Sequence, residues 1–241
     1  MLKNGFRFGA VALSTVAVVG LGSASAFATT PVANPQSLAT IQAKAAAAIT
    51  LRVNDLNAAI SKVNANAHLG SSGASLVSYL QADVSPLQAL DTKIAGDTTV
   101  ATALADSSTI FTSYRVLALV LPAAHVAATA DEIDVTAIPG LTAISTNAAS
   151  HVNSSNAATL QPLIDDLNAQ IQSATNGTAN VAPTVLGYTP PQWNANHDLL
   201  APSHASLQAA AGDIAKARSD VQQIRTILHA RTSGATTTAA A

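Results

Sequence analysis

The sequence predicts an all-α protein, an antiparallel bundle of four to five long, partly kinked helices. Three observations predict it. Apolar residues return at steps of three and four along most of the chain, the period of one helix face. No segment sustains the two-residue alternation of a half-buried strand. About a fifth of the 241 residues are alanine, the strongest helix former, within a composition that is 49% apolar. Stripes of this kind are not stable singly in water and must bury themselves against one another. Alanine at many core positions predicts that the helices approach closely.

The first segment, 1–28, reads as a signal peptide. Lys3 and Arg7 give it a positive start, an apolar stretch runs from Gly9 to Leu21, and Ala24-Ser25-Ala26 and Ala26-Phe27-Ala28 both fit a signal peptidase site. Cleavage is expected after Ala28, with Ala26 as the second choice. The apolar stretch is about 13 residues, short of the roughly 20 that span a bilayer. No Arg-Arg pair is present, which points to the general secretory route. Removal of the leader takes away two cations and no acid, moving the formal charge from −2 to −4.

Residues 29–36 (TTPVANPQ) read as a linker, and 37–229 as the bundle domain. Leu38, Ile41, Ala45, Ile49, Val53, Leu56, Ile60 and Val63 form the first stripe. His68 to Gly73 is a turn, with Ser71 or Ser72 able to cap the next helix. Leu76, Leu80, Leu87, Leu90 and Ile94 follow, and Pro86 inside them predicts a kink or break. Gly96-Asp97-Thr98 ends that helix and caps another, whose buried face is expected at Val100, Leu104, Phe111, Tyr114, Leu117 and Leu121. Pro122 predicts a bend, and Pro139-Gly140 a second interruption before Leu141, Ile144 and Ala148.

Asn153 to Asn156 is a turn. Leu160, Leu163, Ile164, Leu167 and Ile171 make the fourth stripe, weakened at Asn176-Gly177-Thr178. Pro190 or Pro191 suits the first turn of a short helix. Leu199, Leu200, Leu207, Ile214, Ala217, Val221, Ile224 and Leu228 mark the closing helix, the last five with the 3-4 spacing of a coiled-coil-like seam. Residues 230–241 read as a disordered tail.

Composition narrows the chemistry. The absence of cysteine excludes a disulfide framework, a Cys-based zinc site and a thiol nucleophile. A net charge of −2 without a Lys/Arg patch argues against nucleic acid as a partner. The most apolar run beyond the leader, Val116 to Ala130, is interrupted by Pro122 and His125, so no transmembrane span is expected in the mature chain. With only 10% charged residues, few ion pairs exist to be lost in acid, and an acid-tolerant fold is expected.

Candidate chemical residues are sparse. Six histidines occur, at 68, 125, 151, 197, 204 and 229, with no HExxH or i,i+4 pair among them. His197 and His204 are expected on one face of a helix, about 10 Å apart along its axis, too far to share a metal without a third partner. Asp131, Glu132 and Asp134 form the densest acidic cluster, read as a solvated helix face rather than a cation loop. No GxSxG elbow, Ser-x-x-Lys or Walker motif is present in the mature chain. Tyr114 is expected to be buried with a hydroxyl partner, and Arg115 to pair with an acid such as Asp213 or Asp220. Trp193, the one tryptophan, is expected to plug the end of the bundle or to serve as a ligand platform. No catalytic, metal or cofactor residue is assigned, and no cofactor is expected.

Phe111 to Pro122 (FTSYRVLALVLP), followed by Thr129-Ala130-Asp131, with Thr189-Pro190-Pro191-Gln192-Trp193 and the closing helix Asp213 to Leu228, resembles segments of uncharacterised, alanine-rich, secreted helical proteins of actinobacteria. The chain departs from them in its fewer charges and in Pro139-Gly140 and Pro162, where they imply uninterrupted helix. The resemblance implies no activity. Together these readings predict a secreted, non-enzymatic helical protein with a structural or interaction role at the cell envelope or outside the cell, its partner an envelope polymer or protein. The alternative is a carrier of a small hydrophobic ligand, lipid or haem, in a bundle cavity.

Overall fold

The computed structural model describes residues 36–69 and 72–237, with side chains through Ala230. The leader and most of the linker lie outside the described residues. The protein is all-α, and no strand occurs among the described residues. The helices are α1 (Leu38–Ala65), α2 (Ser72–Gln81), α3 (Val84–Ala95), α4 (Val100–Thr109), α5 (Leu121–Glu132), α6 (Ile138–Ser150), α7 (Ala157–Thr178), α8 (Val181–Leu186), α9 (Pro190–Ala195) and α10 (Ala201–Thr237). Three π-helical segments, Ile110–Tyr114, Val116–Val120 and Ile133–Ala137, join α4, α5 and α6 into one run.

Local chemistry explains the boundaries. Ser37 caps α1 and Thr99 caps α4, each hydroxyl accepting from the backbone N–H three residues on, at 3.2 Å in both cases. The break before Pro86 falls at Ala82-Asp83, which leaves the proline in the first turn of α3, where no N–H is needed. The expected interruptions at Pro122 and Pro139 are π-turns rather than breaks. Each proline lies in the first turn of its helix, just beyond a π segment. One extra residue in the ladder, as in the Leu121 N–H to Val116 carbonyl bond, makes room for a ring that would crowd a carbonyl one turn earlier. Pro162 is accommodated inside an unbroken α7. α10 runs to Thr237, into the segment read as a tail; Gly234 is the only weak helix former of note there and costs only about 1 kcal/mol.

Two hydrophobic clusters hold the bundle. The first joins Ile49 and Leu56 of α1, Leu76 and Leu80 of α2, and Leu87 of α3 to Ala123, Ala127 and Val185 beyond. The second joins Leu141 of α6, Leu160, Ile164 and Leu167 of α7, and Ile214, Ala217 and Ile224 of α10. Ile133, in the third π segment, packs against both. Burying a leucine of this kind stabilises the fold by about 2–3 kcal/mol. α7 and α10 run antiparallel: Ser173 meets Asp213, while Gly177 lies against Ser206 and Ala210. A Cβ at Gly177 would sit 3.5 Å from that of Ala210, the close approach that small residues allow.

One stripe is corrected. The buried residues of α4 and its π extension are Ala103 and Ile110, not the larger residues beside them. Val100, Leu104 and Phe111 are exposed, as is Leu117. The run Val100–Ser150 is 51 residues and includes a window long and apolar enough to cross a membrane by length and composition, and half of that window is buried inside the fold.

Candidate functional site

The most distinctive local structure is the corner between α4 and α5. Arg115 sits between two π segments with φ 49° and ψ 31°, the left-handed region, alone among the described non-glycine residues. That conformation costs an L-residue roughly 1–2 kcal/mol. It persists because neighbours over-determine it. The Arg115 carbonyl accepts from the N–H groups of Ala118, Leu119 and Val120, at 3.1, 2.8 and 3.2 Å. Its guanidinium Nε donates to Asn194 Oδ1 at 2.6 Å, and Asn194 Nδ2 donates to the Thr112 carbonyl at 3.0 Å. One side chain on α9 therefore grips both the strained residue's own side chain and the backbone three residues before it. α9 is itself fixed by Gln192, whose Oε1 accepts from the Thr189 N–H at 2.9 Å.

Asp83, the residue before α3, is half-buried near this corner. Burial pushes its carboxyl from 3.8 up to about 6. Two phenols feel the same acid. Tyr79 is raised to about 12, first by burial and then by Asp83, and its buried hydroxyl oxygen has no partner. Tyr114 is raised for the same two reasons. A neutral Asp83 is a donor, which suits an environment of phenol oxygens better than a carboxylate does.

Across the α4 corner lies Arg52 of α1, 8% exposed. Its Nη1 donates to the Ala48 carbonyl at 2.8 Å, and its Cζ stands 4.7 Å from the centroid of the Phe111 ring. Burial lowers its pKa, with Asp55 acting the other way. Phe111 is thus exposed on one side and covers a cation on the other, which explains why it does not join the core.

The residues singled out in the sequence are placed as follows. All six histidines are exposed, and His197 is in the turn before α10, off the helix that carries His204. The end of α9 at Ala195 and the turn at 197–200 separate His197 from α10, so the two do not share a helix face. Among the described residues no three His, Asp or Glu side chains gather where they could hold a metal. Asp131 is not solvated: it is 8% exposed, packed where α5 meets α2, with one oxygen lacking a partner. Burial raises its pKa, Ser72 opposes this, and Asp134 adds to it. Asp134 accepts from the Thr178 hydroxyl. Arg115 pairs with Asn194 rather than with Asp213 or Asp220, because α10 presents those acids to α7. Trp193 packs half-buried against the first cluster, its ring edge-on to His197 at 5.8 Å.

Arg52 and Asn194 drew no notice in the sequence, and Asp83, read there with Asp91 and Asp165-Asp166 as a scattered solvated acid, is half-buried instead. Arg52 stands one residue from the apolar stripe of α1, between Ile49 and Leu56, and that position on the buried face was its only local signal. No known protein family matches this chain, and comparison with curated proteins and with solved structures finds no similar one.

Proposed function

We propose that this is a secreted, non-enzymatic helical protein that acts through its surface, in a structural or interaction role at the cell envelope or outside the cell. The observation that carries the reading is the outward face of α4 and the corner beyond it. Val100 is 41% exposed, Leu104 50%, Phe111 50% and Leu117 44%. The other exposed residues of this stretch are Ala101, Thr102, Ala105, Ser108, Thr112 and Ser113, so the face carries no charge. Grouped apolar exposure on an ordered surface is a feature of contact sites. The leader-like segment 1–28 and the low charge of the remainder support a location outside the cytoplasm. A carrier would need an enclosed cavity. The concavity along α6, about 770 Å³ and bordered by Ile138, Pro139, Thr142 and Ala143, is an open groove, which favours the surface reading.

The test is fractionation of the natively produced protein between medium and envelope, with crosslinking to capture what it touches. Retention on an envelope polymer or a specific protein, reduced by Val100→Ser and Leu104→Ser, supports the proposal. A protein wholly free in the medium, with no crosslinked partner and no effect of either substitution, overturns it.

A further inference from the structure

We propose that a proton closes the seam between α7 and α10: Asp220 holds the two helices together in its neutral form and loosens them when it ionises. The register that sets Ser173 against Asp213 and Gly177 against Ala210 brings Asp220 opposite Asp166 and Gln170. Asp220 is 6% exposed, and its Oδ2 is buried without a hydrogen-bond partner. Gln170 is 9% exposed. Its Nε2 donates to Asp166 Oδ2 at 3.0 Å, and the same carboxamide lies against Asp220. Its Oε1 is also buried and unpartnered.

When Asp220 is ionised, Asp220 Oδ2 and Gln170 Oε1 are both buried acceptors without a donor. A buried group left without its bond carries the full cost of its desolvation. A proton on Asp220 turns one of the two into a donor and removes the repulsion from Asp166 in the same step.

Among the described residues no cation offers an alternative neutraliser. Asp166 is the charged group that acts on Asp220 from α7. α6 and α8, which also pack on α10, contain no charged residue. On α5, the third such neighbour, His125 is exposed, Asp131 faces α2, and Glu132 is acidic. On α10 itself Lys216 is paired with Asp213 at 3.2 Å, and Arg218 and Arg225 are exposed. Asp213 supplies the internal contrast. Ser173 at 2.6 Å and Lys216 hold its pKa down, whereas burial and then Asp166 raise that of Asp220, with Gln170 partly opposing. A carboxyl raised in the folded state contributes stability that is complete below its unfolded value, 3.8, and declines as pH rises through the folded one.

Hydrogen exchange of the full mature chain, read peptide by peptide and corrected for intrinsic rates, tests this. Protection of α7 and α10 amides should fall from mild acid to neutral pH, by about tenfold for each unit by which the folded pKa exceeds the unfolded one. Asp220→Asn, compared with wild type at each pH, should reduce the fall to the part that Asp83 and Asp131 contribute. Asp166→Asn, at an exposed position, should shrink the fall and decides the matter if the first variant does not fold. Wild-type protection that is flat or rises with pH overturns the proposal, as does a fall that neither substitution reduces. Recovery of protection at neutral pH on adding calcium chloride, lost in Asp220→Asn, would also overturn it by putting a cation in the proton's place.

Discussion

Replacing Asp83 by asparagine isolates the largest titration in the protein's core. The folded carboxyl titrates at about 6 against 3.8 for the free group. Two units correspond to about 3 kcal/mol for a fully sheltered group. Asp83 is only half-buried, so solvent screening reduces this to about 1–2 kcal/mol. The sign follows from the direction. With its folded value raised, Asp83 stabilises the fold fully below 3.8, and that contribution is lost by the time the pH passes about 6. Asparagine fixes the neutral form and cannot titrate. In urea unfolding followed by far-UV circular dichroism, the stability of Asp83→Asn relative to wild type should climb by about 1–2 kcal/mol between about pH 4 and about pH 7. Comparing the two proteins at each pH cancels the titrations of Asp131 and Asp220. A difference that stays constant with pH, or that moves the other way, would refute the assignment of burial as the cause.

Other expectations follow from the same structure. Leu56→Ala, at a site with 0% exposure, should cost about 3–4 kcal/mol in urea unfolding, whereas Leu104→Ala on the outward face of α4 should cost under about 1 kcal/mol. At Arg115 both substitutions lose the bond to Asn194, but glycine accepts φ 49° freely, so Arg115→Gly should be more stable than Arg115→Ala by about 1 kcal/mol. Asn194→Ala removes both grips on the corner and should destabilise by about 1–2 kcal/mol, with a change in the emission of the adjacent Trp193. Helical circular dichroism should persist at about pH 3, since Asp83, Asp131 and Asp220 all favour their protonated forms in the fold.

Much of the architecture was legible in periodicity. The stripes of α1, α7 and α10 fall on their buried faces, because Ile41, Ala45, Ile49 and Leu56, or Leu160, Ile164 and Leu167, repeat at helical spacing with polar residues between them. The stripe of α4 was misread for the opposite reason. Its large apolar residues share a face, yet Ala103 and Ile110 are the ones buried, because the packing of α4 against its neighbours, not local hydrophobicity, set its rotation. The corner at Arg115 was not legible at all. Its left-handed backbone depends on Asn194, separated from it by most of α5 to α9, and no local pattern encodes such a grip.

The sequence by itself determined the helices, their caps and the places where proline forces an irregular turn, since all of these arise from interactions within a few residues. It also determined a low charge density. Only the tertiary structure decided what became of the few charges. Asp83, Asp131, Asp220 and Arg52 lie near the edges of apolar stripes, where a small rotation of the helix separates water from core. Packing between helices fixed that rotation, and with it took surface-type residues out of water, raising the pKa of the three carboxyls and lowering that of Arg52.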